Sequence, residues 1–162
     1  MASNRHLGRI IALQTLYEEE FRQDADDKDF DLQAVLKRNI ARYKDMVEDT
    51  EFITKLVTGV SEQSKQLDET LQPVAPEWPI DQIARMDRIV LRMGLYELQN
   101  DMGVPPKVVI NEAVELAKAF GGDNSSKFVN GVLGTVLRQQ LGEDAPAADT
   151  PEESDPEKKE ES

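Results

Sequence analysis

The 162-residue chain has no cysteine, one histidine and one tryptophan, and aromatic residues make up only 6% of it. Without cysteine, the protein forms no disulfide or thiolate metal site and has no cysteine nucleophile. The single histidine, His6, has no serine or acid near it in sequence that would complete a catalytic set. No glycine-rich phosphate loop follows a strand pattern either. The sequence therefore predicts a protein that is not an enzyme and carries no cofactor.

Long apolar runs are also missing. No window approaches the roughly 20 apolar residues of a membrane span, and the N-terminus has no apolar signal core. We therefore expect a soluble, cytoplasmic protein that does not bind membranes. The acidic stretch at 23–31 does not predict a metal site. A calcium loop that began at Asp24 would need glycine and a carboxylate at the positions that Asp29 and Val35 occupy.

Basic residues are scarce, with 19 lysines and arginines against 32 acidic residues and a net charge of −13. Residues 143–162 carry nine of the acids and two lysines, which leaves a net charge of −6 on residues 1–142. The 143–162 segment has three prolines and no aromatic residue, and it is predicted to be a disordered tail. Because residues 1–142 are acidic, any nucleic-acid binding must come from a local basic patch.

What the chain does contain is apolar residues spaced three and four apart, which predicts amphipathic helices and no β-strands. We expect an all-α fold of about seven helices in two small bundles. The two lobes are predicted at about 4–72 and 80–141. Helices are predicted at 4–22, 32–44, 50–71 and 81–99, followed by a helix hairpin that begins near residue 109. Either Thr50 or Asp49 is predicted to cap the third of these helices.

Glycines mark two positions in these helices. Gly94 lies inside the helix at 81–99 and predicts a close approach of two helices. Gly121 and Gly122 are predicted to end the first helix of the hairpin, because glycine adopts the left-handed conformation of a C-cap without steric cost.

Three motifs in this order resemble the NusB family of transcription antitermination factors, over residues 5 to 138. They are RHLGRIIALQTLYEEEF, IARMDRIVLRMGLYEL and INEAVELAKAFGG followed by SSKFVNGVL. The resemblance implies a factor that binds the single-stranded boxA sequence of nascent ribosomal RNA operon transcripts jointly with ribosomal protein NusE. It also implies that the pair joins the RNA polymerase antitermination complex and helps the polymerase read through terminators.

The resemblance places an RNA-binding surface on two helix starts. The residues that match are Arg5, His6, Arg9, Lys127, Phe128 and Asn130. Arg5 and Arg9 lie four residues apart and share a helix face, although a solvated surface would show the same pattern. Lys127 and Phe128 offer a charge for phosphate and a ring for stacking, whereas the apolar stripe equally predicts Phe128 as a core residue. If the two helix starts are neighbours, we expect one continuous patch.

The resemblance to the NusB family also implies that Tyr17 and Asp87 contact the ribosomal protein NusE. An ion pair of Asp87 with Arg85 or Arg88 is the structural alternative for this aspartate. A second function also stays open, namely a protein-interaction adaptor of the transcription complex with weak or no direct RNA binding. The acidic body supports that alternative, as do Leu7 and Gly8, which interrupt the basic residues of the first helix.

Overall fold

The computed structural model describes residues 2–75 and 79–140 of the chain. Within these ranges every regular element is helical, which confirms the predicted all-α class. The described part contains six α-helices and two short 3₁₀ helices, close to the seven helices predicted. The bounds are α1 Ala2–Asp24, α2 Leu32–Arg42, α3 Thr50–Leu71, α4 Arg85–Gln99, α5 Pro106–Phe120 and α6 Ser125–Gln140, with 3₁₀ helices at Gln72–Val74 and Ile80–Gln82. The predicted tail at 143–162 lies outside the described residues.

Two helices begin at an aspartate that accepts a hydrogen bond from a free N–H group of the first turn. Asp31 Oδ1 accepts from the Ala34 N–H at 3.2 Å, and Asp49 Oδ1 accepts from the Phe52 N–H at 3.0 Å. Such a cap typically contributes about 1 kcal/mol to helix stability. The sequence predicted either Thr50 or Asp49 as the N-cap of α3. Asp49 is the N-cap, and Thr50 is the first helical residue.

Helix α4 lies at the centre of the fold and packs against α1, α3, α5 and α6. It begins at Arg85, later than the predicted residue 81, because Ile83 and Ala84 are extended with ψ of 138°. The close approach predicted at Gly94 is confirmed. A Cβ atom on Gly94 would lie 2.6 Å from Leu133 Cδ1 of α6, so a larger residue would push the two helices apart.

One hydrophobic core includes side chains from all six helices. This core is continuous from α1 and α3 through α4 to α5 and α6. The division into two lobes at about 4–72 and 80–141 stays a prediction. The largest side chains that it buries fully are Ile11, Leu13, Ile53, Leu56, Leu67, Leu71, Ile89, Leu91, Met93, Leu95, Leu116 and Leu133.

Helices α5 and α6 form the predicted hairpin, but the predicted left-handed glycine at its turn was wrong. Gly121 is not left-handed, since its φ is −96° and its ψ is −168°. Lack of space is the actual constraint. A Cβ atom on Gly121 would lie 2.5 Å from Ser125 Oγ and 2.8 Å from the Ala117 carbonyl oxygen. Ser125 Oγ in turn accepts a hydrogen bond from the Gly122 N–H at 2.8 Å, which fixes the turn.

In the ranges 2–75 and 79–140, no helix has both the length and the apolar character that crossing a membrane requires.

Candidate nucleic-acid interface

Arg5, at the start of α1, is held by contacts with two distant segments. Its Nη1 donates to the Met102 carbonyl oxygen and its Nη2 donates to Asp49 Oδ2, both at 3.0 Å. The guanidinium carbon also lies 4.5 Å from the centroid of the Phe52 ring, which is a cation–π distance. The Arg5 side chain stays 30% exposed, so an anion in solvent can reach it.

His6 points towards α5. Its Nδ1 lies 2.7 Å from Glu112 Oε1, and the histidine side chain is 39% exposed. Glu112 therefore joins α5 to the start of α1. The neighbouring carboxylate of α5, Glu115, instead pairs with Lys118 at 3.7 Å.

Arg9 is buried, and this corrects the expectation that it contacts RNA directly. Its Nε and Nη2 each donate to Glu97 of α4 at 2.8 Å, and its Nη1 lies 3.7 Å from Glu112. The side chains of Arg9 and Glu97 are both 3% exposed. A phosphate cannot reach a guanidinium in this position. We therefore assign Arg9 to joining α1 to α4, where breaking the pair would leave an uncompensated buried charge.

Glu97 is a site residue that the sequence analysis missed, although a signal was present. It lies on the same face of α4 as the buried residues Val90, Met93 and Gly94. A carboxylate among core positions requires a buried cation or several hydrogen-bond donors, because an unpaired buried charge is very costly. That reasoning predicts a cationic partner for Glu97, but it does not say which one.

The start of α6 presents the second set of predicted residues. Lys127 and Asn130 are exposed. Phe128 is half-buried and packs against the hydrophobic core, so one part of its ring is covered and the other part is accessible. The prediction of a core residue is therefore met in part, and the stacking role of Phe128 stays a prediction.

The two helix starts lie beside different parts of α5. The start of α1 lies beside the middle of α5, through Glu112, whereas α6 begins after the C-terminal end of α5 at Phe120. From Glu112 to Phe120 the axis of α5 extends about 12 Å. One continuous patch across the two helix starts therefore stays a prediction.

An apolar groove lies beside Tyr17, at the C-terminal half of α1. Its volume is about 510 Å³, and two large apolar side chains on its walls are exposed, Phe21 at 55% and Phe120 at 39%. The guanidinium of Arg85 lies 5.5 Å from the centroids of both the Tyr17 and Phe21 rings. The residues that line the groove are Leu13, Gln14, Tyr17, Glu18, Phe21, Met86 and Phe120.

Asp87 follows Met86 of this groove in the first turn of α4. Its Oδ1 is buried and has no hydrogen-bond partner. Arg85 and Arg88 pair instead with Glu20 of α1, so the ion pair that was the alternative for Asp87 does not form in the described residues.

Glu20 receives three arginines of α4 and joins α1 to that helix. Arg85, Arg88 and Arg92 all pair with it, and Arg92 also donates to Asp68 of α3 at 2.7 and 2.8 Å. Burial by itself would raise the pKa of Glu20, but hydrogen bonds from Arg88 and Arg92 outweigh it and lower the pKa. These three arginines, like Arg9, are therefore already paired with carboxylates inside the fold.

A family model described as the NusB family matches residues 6–138 of the chain. The chain belongs to the NusB family. The transcription antitermination protein NusB of Chloroflexus aggregans is 46% identical over 145 residues, which cover 88% of this chain and 93% of that protein. Its counterpart in Lactiplantibacillus plantarum is 40% identical, over 86% of this chain and 99% of that protein.

A solved structure agrees with the sequence relatives. T. maritima NusB is similar to this chain with a TM-score of 0.74 and 29% identity, over 89% of this chain and 94% of that chain. The family resemblance of the three motifs is thereby confirmed. The NusB match includes the start of α6, the groove and all of α1 from His6 onwards. Within the described ranges, no three His, Cys, Asp or Glu residues are placed to hold a metal ion.

Proposed function

We propose that this chain is a transcription antitermination factor that binds boxA RNA of ribosomal RNA operon transcripts jointly with ribosomal protein NusE. In this proposal the pair joins RNA polymerase and helps it read through terminators. The observation that carries the proposal is the family match over residues 6–138, together with relatives of 46% and 40% identity that are named transcription antitermination proteins.

The RNA surface in this proposal consists of Arg5, His6, Lys127, Phe128 and Asn130. Arg5 and Lys127 are the cations that phosphates can reach, and the accessible part of Phe128 provides a stacking surface for an unpaired base. Asn130, one turn beyond on the exposed side of α6, adds an amide that can donate to or accept from a base. Arg9 acts indirectly, by holding the start of α1 on α4 where Arg5 and His6 are presented.

The NusE surface in this proposal is the apolar groove at Tyr17, with Asp87 at its edge. Exposed Phe21 and Phe120 give an apolar area that a partner can cover, which is typical of a protein-binding site. The chain's net charge of −13 attracts a basic ribosomal protein. Asp87 is assigned to this surface by the family resemblance, and its Oδ1 is buried without a hydrogen-bond partner within the described residues.

A titration of labelled boxA RNA with the full chain tests the proposal, with and without NusE and against a scrambled RNA of equal length. We expect weak binding alone and tighter, boxA-selective binding with NusE. Two reachable cations predict a log–log salt slope on the order of −1.4, since each phosphate neutralised on a single strand contributes about −0.7. Equal affinity for boxA and scrambled RNA in the presence of NusE would contradict the proposal.

The adaptor alternative keeps one observation in its favour, because the burial of Arg9 removes a cation from the RNA surface. An adaptor would bind NusE through the groove while boxA RNA adds nothing to the affinity of that complex. The same titration separates the two functions, since joint binding requires NusE and boxA RNA to strengthen each other by equal factors.

A further inference from the structure

The only cation at the start of α1 that an RNA phosphate can reach directly, within the described residues, is already paired. Arg5 Nη2 donates to Asp49 Oδ2 at 3.0 Å, while both side chains are partly exposed, at 30% and 42%. They lie at the mouth of a cleft of about 470 Å³ between the start of α3 and the residues that follow α4. Glu51 and Asp101 also line this cleft, together with the exposed cation Lys55.

We propose that Asp49 sets the RNA affinity of this protein, because its carboxylate competes with an RNA phosphate for Arg5. This inference rests on the proposed function, since it concerns the RNA surface assigned there. A carboxylate and a phosphate offer a guanidinium the same two-oxygen acceptor. A phosphate that binds Arg5 must therefore displace Asp49 or remain beside its negative charge.

Asp49 stays ionised when RNA binds. The Phe52 N–H and, after it, the Arg5 guanidinium lower the pKa of the Asp49 carboxyl below its ordinary value. The repulsion of a phosphate by this charge therefore persists at neutral pH. The two oxygens of Asp49 have separate tasks, because Oδ1 caps α3 and Oδ2 holds Arg5.

Because the two oxygens have separate tasks, one substitution can remove the contact with Arg5 and keep the cap of α3. In Asp49→Asn the amide oxygen can still accept from the Phe52 N–H, and asparagine is as good an N-cap as aspartate. The amide nitrogen then faces Arg5 and, as a donor, releases the guanidinium. Asp31→Asn is a matched control, because Asp31 caps α2 in the same way and has no arginine contact. Both variants change the net charge by the same amount.

In fluorescence titrations of boxA RNA with NusE present, we expect Asp49→Asn to bind about three- to tenfold more tightly at low salt. The salt slope should stay near the value of about −1.4 expected for the parent protein, because Arg5 is one of the two reachable cations in both proteins. We expect Asp31→Asn to differ from the parent protein by less than about twofold, since Asp31 caps α2 and contacts no cation of the proposed RNA surface. In an Arg5→Ala background, Asp49→Asn should give no gain, because the arginine for which the two anions compete is gone.

Three results would overturn the inference. An equal gain in Asp31→Asn would show that only net charge matters, and a gain that survives Arg5→Ala would show that Arg5 is not the target. Weaker binding by Asp49→Asn, with an unchanged melting temperature, would show that Asp49 holds Arg5 ready for RNA. If neither the parent nor Asp49→Asn selects boxA, the proposed function itself fails, whereas selective binding without a gain refutes only the competition.

Discussion

Replacing Glu97 by glutamine should destabilise the protein by roughly 3 kcal/mol, because it leaves the buried Arg9 without its main counter-charge. Two hydrogen bonds of 2.8 Å join these side chains, and each side chain is only 3% exposed. Breaking a buried pair on one side typically costs about 3–5 kcal/mol. Glu112 still lies 3.7 Å from Arg9, so the lower end of that range applies.

Urea unfolding followed by circular dichroism at pH 7 measures this loss directly, and the melting temperature should fall by roughly 10 °C. Glu115→Gln is the matched control. It makes the same chemical change on α5 in a pair with Lys118 whose side chains are 57% and 60% exposed. Exposed pairs contribute little, so this control should stay within about 0.5 kcal/mol of the parent protein. If Glu97→Gln loses no more stability than Glu115→Gln, the Arg9 pair does not hold α1 on α4 and our assignment of Arg9 is refuted.

Three further variants test the other surfaces. Phe128→Ala should weaken boxA binding without changing the salt slope, because stacking releases no counterions; a normal circular dichroism spectrum with unchanged affinity would remove Phe128 from the RNA surface. Phe120→Ser should weaken NusE binding about tenfold by opening the groove wall, whereas Met46→Ser, at a residue 61% exposed and outside the groove, should leave it unchanged in calorimetry. Glu20→Gln should lower stability at pH 7. The pKa of Glu20 in the folded protein lies below its ordinary 4.5, so the ionised carboxylate stabilises the fold above that pH. This stabilisation is lost as the pH falls through the lowered pKa. The difference in unfolding free energy between Glu20→Gln and the parent protein, measured in urea, should therefore shrink in acid.

The sequence by itself determined the helices and much of what limits them. The all-α class, the hairpin of α5 and α6, and the close approach at Gly94 all follow from patterns within a few residues of one another. For the same reason, the sequence predicted that the N-cap of α3 is one of two adjacent residues, Asp49 or Thr50. These features depend on side-chain spacing, on capping and on the size of one residue, and each of those is visible in a short stretch of sequence.

Only the tertiary structure decided what the charged residues do. Arg5 and Arg9 share a helix face and look equivalent in sequence, yet Arg9 is buried against Glu97, 88 positions away, and Arg5 remains partly exposed against Asp49, 44 positions away. The hairpin likewise places Lys127 beyond the C-terminal end of α5, whereas His6 of α1 contacts the middle of that helix. The free energy of a charge depends on its burial and on its partners. Both are set by distant segments of the chain, so no local pattern distinguishes a cation that binds RNA from one that holds helices together.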